Sequence, residues 1–413
     1  MTFKINNICK IQEAAIEMRG ITVIAGNNNT GKSTYGKILY CMFNAFCNAE
    51  SAIRKERRSA IENIIDSSFS RYRFRPTGQY RNLVNNIIEH LSSMEKIRGL
   101  LAEVMNNSSI SMDGIEDAIN IVYERIARAN EITDEQVQKT ILTRFLVSEF
   151  GNRIIHVNHA EAAGTISLTI KGNTLFASIE NNECTDFTDN VGIVYNALYI
   201  DTPFILDELY RHLIRIRNKY RHHEYLLESL SKSPDGISAI DEILAKQKVQ
   251  RVLSNIRSVV SGEFRRSDDG WMFQEDGLNS PLGMVTISAG MKPFLIIKRL
   301  MEAGAIKEQG VLVFDEPEIH LHPEWQLKYA ELLVILQKEF NLTILLTTHS
   351  PYFLNAIEVY SQKNDIVDHC NYYLTDTQGD VCTIQEVTGN LDLTYQKLAE
   401  PFQVLENLRY REY

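Results

Sequence analysis

The chain has 413 residues, of which 44% are hydrophobic and 23% charged, the proportions of a soluble globular protein with room for one large core or two. A formal net charge of −10 excludes a protein that coats nucleic acid with its whole surface, while leaving room for a local basic patch. Six scattered cysteines (Cys9, Cys41, Cys47, Cys184, Cys370 and Cys382) contain no C-x-x-C pair, so neither disulfides nor a zinc cluster are implied. Met1 to Gln12 lacks the pattern of a leader, and no apolar run approaches the ~18 residues that span a bilayer, so the expectation is a cytoplasmic protein with no membrane partner.

Phe3 to Met18 reads as two short strands, followed by the buried strand Ile21-Thr22-Val23-Ile24-Ala25. The next nine residues are Gly26, Asn27, Asn28, Asn29, Thr30, Gly31, Lys32, Ser33 and Thr34. They meet G-x-x-x-x-G-K-[ST], the phosphate-binding loop called Walker A, through Gly26, Gly31, Lys32 and Ser33. Glycines let the backbone take positive φ and turn successive N–H groups into one anion hole. Lys32 adds a point charge, Ser33 offers a hydroxyl to a Mg²⁺ bridging the phosphates of ATP, and the following helix points its positive end at the same anion. A Gly/Asn-rich turn before a helix is the bland alternative; the order strand, loop, helix favours the phosphate loop.

From Ile38 to Phe150 the pattern is mostly helical, with apolar pairs such as Ile64-Ile65, Ile87-Ile88 and Ile121-Val122. Between Ser51 and Arg81, eight Lys/Arg stand against three Asp/Glu, and Arg71-Tyr72-Arg73-Phe74-Arg75 alternates basic and aromatic residues. Such a stretch suits nucleic-acid contact, or equally a solvated edge or a docking surface. Arg153 to Ile200 turns to strands, with Lys171-Gly172-Asn173 as a turn between two of them. Ala197 to Pro203 reads as a short strand ending at Asp201. Leu206 to Val260 is helical again, broken at Ser233-Pro234-Asp235-Gly236.

Strands around Glu263 to Phe273 follow, then the apolar run Val311-Leu312-Val313-Phe314, the mark of a strand buried on both faces of a parallel sheet. It ends in Asp315-Glu316, a Walker B arrangement. Asp315 is placed to hold Mg²⁺ through its water shell and Glu316 to orient or deprotonate the attacking water; an acidic turn capping the next helix is the competing reading. Another buried strand, Thr343 to Thr347, delivers Thr348-His349-Ser350-Pro351 to the same sheet edge. His349 lies 34 residues after Asp315, enough for one helix and one strand, and a neutral imidazole there could bond the γ-phosphate or the water. Asn371 to Leu374 and Val381 to Val387 form a closing strand pair, and Leu393 to Leu408 reads as helical segments interrupted at Pro401.

The runs Asp315-Glu316-Pro317-Glu318-Ile319-His320-Leu321-His322-Pro323 and Thr347-Thr348-His349-Ser350-Pro351-Tyr352-Phe353-Leu354 resemble the ABC-type ATPases of the overcoming-lysogenisation-defect (OLD) group. Related ATPases serve anti-phage systems such as Septu, PARIS and Gabija. The resemblance implies an α/β ABC-type P-loop NTPase head with a mostly parallel core sheet, an antiparallel β subdomain and helical insertions. It also implies two heads that share ATP, the signature segment of one touching the γ-phosphate held by the other. Ile287-Ser288-Ala289-Gly290-Met291-Lys292 stands where that signature belongs, with Ser288 and Gly290 as matches and Ala289 and Met291 as departures. Asp201 stands near the place of the coupling loop without its glutamine, and His320 and His322 lie in the loop that faces the opposite head.

On this basis residues 1–45 and 257–413 form the two lobes of the head, 151–205 an antiparallel β segment, and 46–150 and 206–256 helical insertions. The OLD enzymes carry a Toprim nuclease after the last ATPase strand, whereas 57 residues from Ile357 to Tyr413 follow here, with no acidic metal cluster. The leading expectation is an ATP- and Mg²⁺-dependent ATPase acting as a homodimeric switch. It would control a separate effector, such as a nuclease, in anti-phage defence, with possible nucleic-acid contact through the basic insertion. Two alternatives stand beside it. Arg217 and His222 satisfy the R-x4-6-H pattern of HEPN ribonucleases, although Arg211, Arg215 and Lys219 make a solvated basic stripe equally well. A repair ATPase is disfavoured by the absence of heptad runs for long coils.

Overall fold

In the computed structural model, which describes residues 1–69, 78–91, 93–106, 112–156, 161–210, 220–232, 239–257, 259–267 and 270–411, apolar alternation sets the first elements. Strands β1 (Thr2–Ile8) and β2 (Ile11–Glu17) form an antiparallel hairpin that buries Phe3, Ile5, Ile8 and Ile11. Strand β3 (Ile21–Gly26) is instead buried at every position, as a strand covered on both faces should be. Helix α1 (Lys32–Phe46) leaves the phosphate loop with Gly36 packed on the sheet; a Cβ there would lie 2.7 Å from Val313 Cγ1.

Two compact units result, one of Met1–Ala45 with Leu142–Tyr413, the other of Phe46–Ile141. The second unit holds α2 (Ala49–Phe69), α3 (Gly78–Glu89), α4 (Met94–Asn106) and α5 (Met112–Glu131) around Ile65, Val84, Ile87, Ile97, Leu101 and Val122. Helix α6 (Asp134–Phe150) begins in this unit and runs on into the other.

The first unit continues with β4 (Gly164–Ile170), β5 (Asn173–Glu180), β6 (Glu183–Asp189), β7 (Ala197–Ile200), α7 (Arg221–Ser231), α8 (Ala239–Ile256), β8 (Gly262–Ser267), β9 (Gly270–Glu275) and β10 (Leu282–Gly283). Then come α9 (Lys292–Glu302), β11 (Val311–Asp315), α10 (Pro323–Phe340), β12 (Thr343–Thr348), α11 (Pro351–Lys363), β13 (Cys370–Gln378), β14 (Val381–Glu386) and α12 (Asp392–Arg411). An 11-stranded sheet has the order β6-β5-β4-β1-β2-β14-β13-β3-β12-β11-β7, and β8 to β10 form a separate antiparallel sheet. The strands from β13 to β7 pair in parallel, whereas β6, β5, β4, β1 and β2 pair antiparallel. This is the mixed α/β head expected of the fold class. Its core lies between the parallel strands and helices such as α9, where Phe294, Leu295, Ile296 and Ile297 are all buried.

Three details depart from the sequence reading. Strand β7 is not part of the antiparallel segment but the parallel edge neighbour of β11, consistent with its four buried residues. Strand β13, read from the sequence only as one of a closing pair, also pairs in parallel with β3 beside the phosphate loop. Helix α12 runs through Pro401 rather than stopping there. Proline removes one backbone hydrogen bond, and Lys397, the residue four earlier, anchors that turn through Nζ to Asp376 at 3.1 Å.

Candidate phosphate-binding and hydrolytic site

The carboxyl ends of β3, β11 and β12 bring the motifs together. Gly26 closes β3 with φ of 155°, and a Cβ there would meet Thr375 Oγ1 at 2.3 Å and its carbonyl oxygen at 2.6 Å, so only glycine fits. Asn29 (φ 65°) and Gly31 (φ 80°) complete the curl. The Thr30 hydroxyl lies 2.8 Å from the Asn27 carbonyl and 2.7 Å from the Thr375 hydroxyl, which fastens the loop to β13. Asn27, Asn28 and Asn29 are exposed along it, and Lys10 donates to Asn29 Oδ1 at 2.9 Å. Lys32 is buried; its Nζ donates to the carbonyls of Gly26 (3.0 Å) and Asn27 (2.8 Å) and lies 3.3 Å from Glu316 Oε1. Lys10, Asn29 to Thr34 and Glu316 line an open cleft of about 340 Å³ at the start of α1, where helix dipole, N–H groups and Lys32 favour an anion.

Asp315 is held from three sides. Its Oδ1 accepts from Ser33 Oγ at 3.0 Å and from Thr347 Oγ1 at 2.6 Å, and its Oδ2 accepts from Tyr199 OH at 2.7 Å. Burial and the neighbouring Asp315 carboxylate push the Tyr199 phenol up, so it remains a donor. Adjacent oxygens on an octahedral Mg²⁺ stand about 2.9 Å apart. The Ser33 hydroxyl and the Asp315 carboxylate stand side by side and are hard oxygen donors of the kind that ion takes.

Glu316 turns away from the strand with φ of 49°, a left-handed conformation uncommon for a residue with a side chain. Its backbone N–H, donating to the Thr347 carbonyl (3.2 Å) and hydroxyl (3.0 Å), secures the turn. The carboxylate then stands between Lys32 and His349, whose Nδ1 lies 3.5 Å from Oε2. The hydrogen bond with His349, assisted by Lys32, holds the Glu316 carboxyl below its ordinary range despite partial burial; the same bond pushes the His349 imidazole up. Its carboxylate neighbours favour the charged form of the imidazole.

Sequence reasoning did not find Tyr199, Thr347, Lys10 or Glu318 as partners. Glu318 is buried, its Oε1 accepting from the Thr348 hydroxyl (2.5 Å) and the His349 N–H (3.1 Å), while its Oε2 is without a hydrogen-bond partner. Burial pushes its carboxyl up. Only the acidic repeat Asp315-Glu316-Pro317-Glu318 hinted at it.

Ser288 and Gly290 lie in the turn that leads into α9, Ser288 exposed, and among the described residues neither makes a hydrogen bond to Gly26 to Thr34. A Cβ on Gly290 would sit 3.2 Å from the Trp325 ring and 3.3 Å from the His320 carbonyl, so this segment packs against the turn that follows Glu316. His320 is exposed and meets Phe204 edge-on at 5.0 Å between ring centres, and His322 precedes α10. Asp201 does not reach Asp315; it binds His222 and His223. Arg71 to Arg75 and residues 211–219, with Arg211, Arg215, Arg217 and Lys219, lie outside the described residues. The His222 side chain is fully buried between Glu149 and Asp201, which withdraws it from the surface role that an Arg217/His222 ribonuclease needs.

Among the described residues no helix is long and apolar enough to cross a membrane. The chain is similar at 10% identity to an SMC head domain from Thermotoga maritima, covering 94% of this chain and 98% of that one with a TM-score of 0.41. It is similar at 10% identity to an SmcHead bound to the C-terminal winged-helix domain of ScpA, covering 95% and 98% with a TM-score of 0.44. A Pyrococcus furiosus Smc head with an extended coiled coil, bound to the C-terminal domain of ScpA, matches at 9% identity, covering 99% and 98% with a TM-score of 0.36. The family model AAA_15, an AAA ATPase domain, matches residues 1–354. That match spans most of the chain, and the protein belongs to the AAA_15 family of AAA ATPase domains: it is a P-loop ATPase.

Proposed function

We propose that the protein is a Mg²⁺-dependent ATPase whose hydrolytic site is completed by a second copy of the chain, and that this ATP-controlled pairing switches a separate effector. Gly26 to Thr34 would hold the phosphates, with Lys32 exchanging its Glu316 contact for a phosphate oxygen. Ser33 and Asp315 would hold Mg²⁺, which neutralises charge between the phosphates. Glu316 would orient the attacking water and accept its proton, and His349 would hold Glu316 and the outermost phosphate in line. The single observation supporting a shared site is the position of Ser288 and Gly290, exposed or half-buried at a helix start and unbonded to the loop of their own chain.

The effector and its anti-phage setting rest on the resemblance of Asp315 to Pro323 and Thr347 to Leu354 to the OLD-type ATPases. In a slow-hydrolysing Glu316→Gln chain, ATP with Mg²⁺ should drive a monomer-to-dimer shift in analytical ultracentrifugation, and Ser288→Arg in the same chain should abolish it. A chain that keeps one mass with and without ATP would contradict the pairing.

A further inference from the structure

At the carboxyl end of β7, four ionisable side chains meet that the proposed ATPase chemistry does not use. Asp201 follows β7, His222 and His223 lie in the first turn of α7, and Glu149 is near the end of α6. His222 Nδ1 lies 2.6 Å from Glu149 Oε2 and its Nε2 3.0 Å from Asp201 Oδ2, while His223 Nε2 lies 2.9 Å from Asp201 Oδ1. The His222 and Glu149 side chains are fully buried, whereas those of His223 and Asp201 remain 18% and 23% exposed. Two carboxylates thus claim both nitrogens of one buried imidazole. A neutral His222 has one N–H, so it satisfies one carboxylate and turns a lone pair toward the other. An imidazolium satisfies both; in the neutral form Glu149 takes the Nδ1 proton, fixes the tautomer and leaves the Nε2 lone pair as a ligand for a cation on the Asp201 side.

We propose that Asp201, His222 and His223 form a second divalent-cation site, suited to a borderline metal such as Zn²⁺, with Glu149 as the outer carboxylate that orients His222. This goes beyond the ATPase reading and does not depend on it. The donor atoms of the three residues all lie within 4.8 Å of one another. Tetrahedral zinc with ligands at 2.0–2.1 Å separates them by about 3.4 Å, so small side-chain adjustments suffice. Two imidazole nitrogens and one carboxylate suit zinc, whereas Mg²⁺ prefers six oxygens. The partly exposed flank supplies an entry path and room for water as a fourth ligand.

The site also touches the hydrolytic centre. Tyr199, which donates to Asp315, packs its ring edge-on 4.7 Å from that of His222, and Asp201 lines one small cavity with Asp315 and Glu316.

The full chain, stripped with chelator and kept in excess Mg²⁺, should bind about one Zn²⁺ in equilibrium dialysis, and Co²⁺ in its place should give the visible absorption of a tetrahedral site. Loss of a ligand in His223→Ala or Asp201→Asn should remove the Co²⁺ band. Glu149→Gln should weaken binding by roughly 10- to 100-fold, as outer-shell partners do. A His320→Ala, His322→Ala double variant should bind as the wild type does. Wild-type protein that takes up no Zn²⁺, or a Co²⁺ band that survives Asp201→Asn or disappears in the His320/His322 variant, would overturn the assignment. Where a variant fails to fold, absence of Zn²⁺ uptake by the wild type still overturns the assignment.

Discussion

Lys32 Nζ lies 3.3 Å from Glu316 Oε1, so the phosphate-loop lysine and the candidate base hold each other across the mouth of the loop. The Lys32 side chain is 3% exposed and that of Glu316 22%, which makes this a partly desolvated pair rather than a surface bridge. A triphosphate in the loop would compete with Glu316 for Lys32, and binding would thereby free the carboxylate to face water. The two residues should consequently fail in different ways.

Glu316→Gln keeps size and an acceptor for Lys32 but removes basicity. ATP affinity should persist while turnover falls by a factor on the order of 10²–10⁴. Lys32→Ala should lose affinity as well. Nucleotide titration and steady-state phosphate release separate the two, and near-normal turnover in Glu316→Gln would remove that residue from the chemistry.

The Glu316–His349 contact should appear as a pH dependence of stability. His349 is raised from an ordinary value of 6.5, so its contribution is complete below that pH and is lost as pH rises through the higher folded value. Glu316 is lowered from 4.5, so its contribution is complete above that pH and is lost as pH falls through the lower folded value. Both charges are therefore in place between about pH 4.5 and 6.5. The stability difference between wild type and His349→Ala should be largest there and shrink toward alkaline pH; urea unfolding at several pH values checks this. The effect should be modest because His349 is half-exposed. A difference that grows with pH would show that the ion pair is not its source.

Much of the candidate site was legible because its motifs are local. Gly26 to Thr34 and Val311 to Glu316 each place several candidate groups at or just after one strand end, where residue type and order suffice. Partners brought in by the sheet were not legible. Tyr199 reaches Asp315 only because β7 is the parallel neighbour of β11, and Thr347 only because β12 lies on the other side. The Asp201–His222–Glu149 cluster joins residues 21 and 73 positions apart, and His222 first drew notice for the R-x4-6-H pattern rather than for these partners. The central place of β13 was hidden for a related reason: a short strand pair near the end of a chain looks peripheral until its pairing with β3 is seen.

Glu318 gives a test of the support behind His349. Its Oε1 accepts from two donors, while Oε2 is buried without a partner. Glu318→Ala should cost about 1–3 kcal/mol, since it strands the Thr348 hydroxyl and the His349 N–H. Glu318→Gln keeps the accepting oxygen and removes a buried charge, so it should be much milder. Denaturant unfolding of both variants is the check. Equal losses would indicate that the negative charge, rather than the acceptor, is what the site requires.

The most direct test of the shared hydrolytic site is complementation. A Lys32→Ala chain has an intact Ser288 segment, and a Ser288→Arg chain has an intact phosphate loop, so each mixed pair should contain one site with both halves whole. The two proteins should be nearly inactive apart and regain ATP turnover on mixing. Turnover in the mixture no greater than in either variant alone, with mixed pairs shown to form, would contradict a site built from two copies.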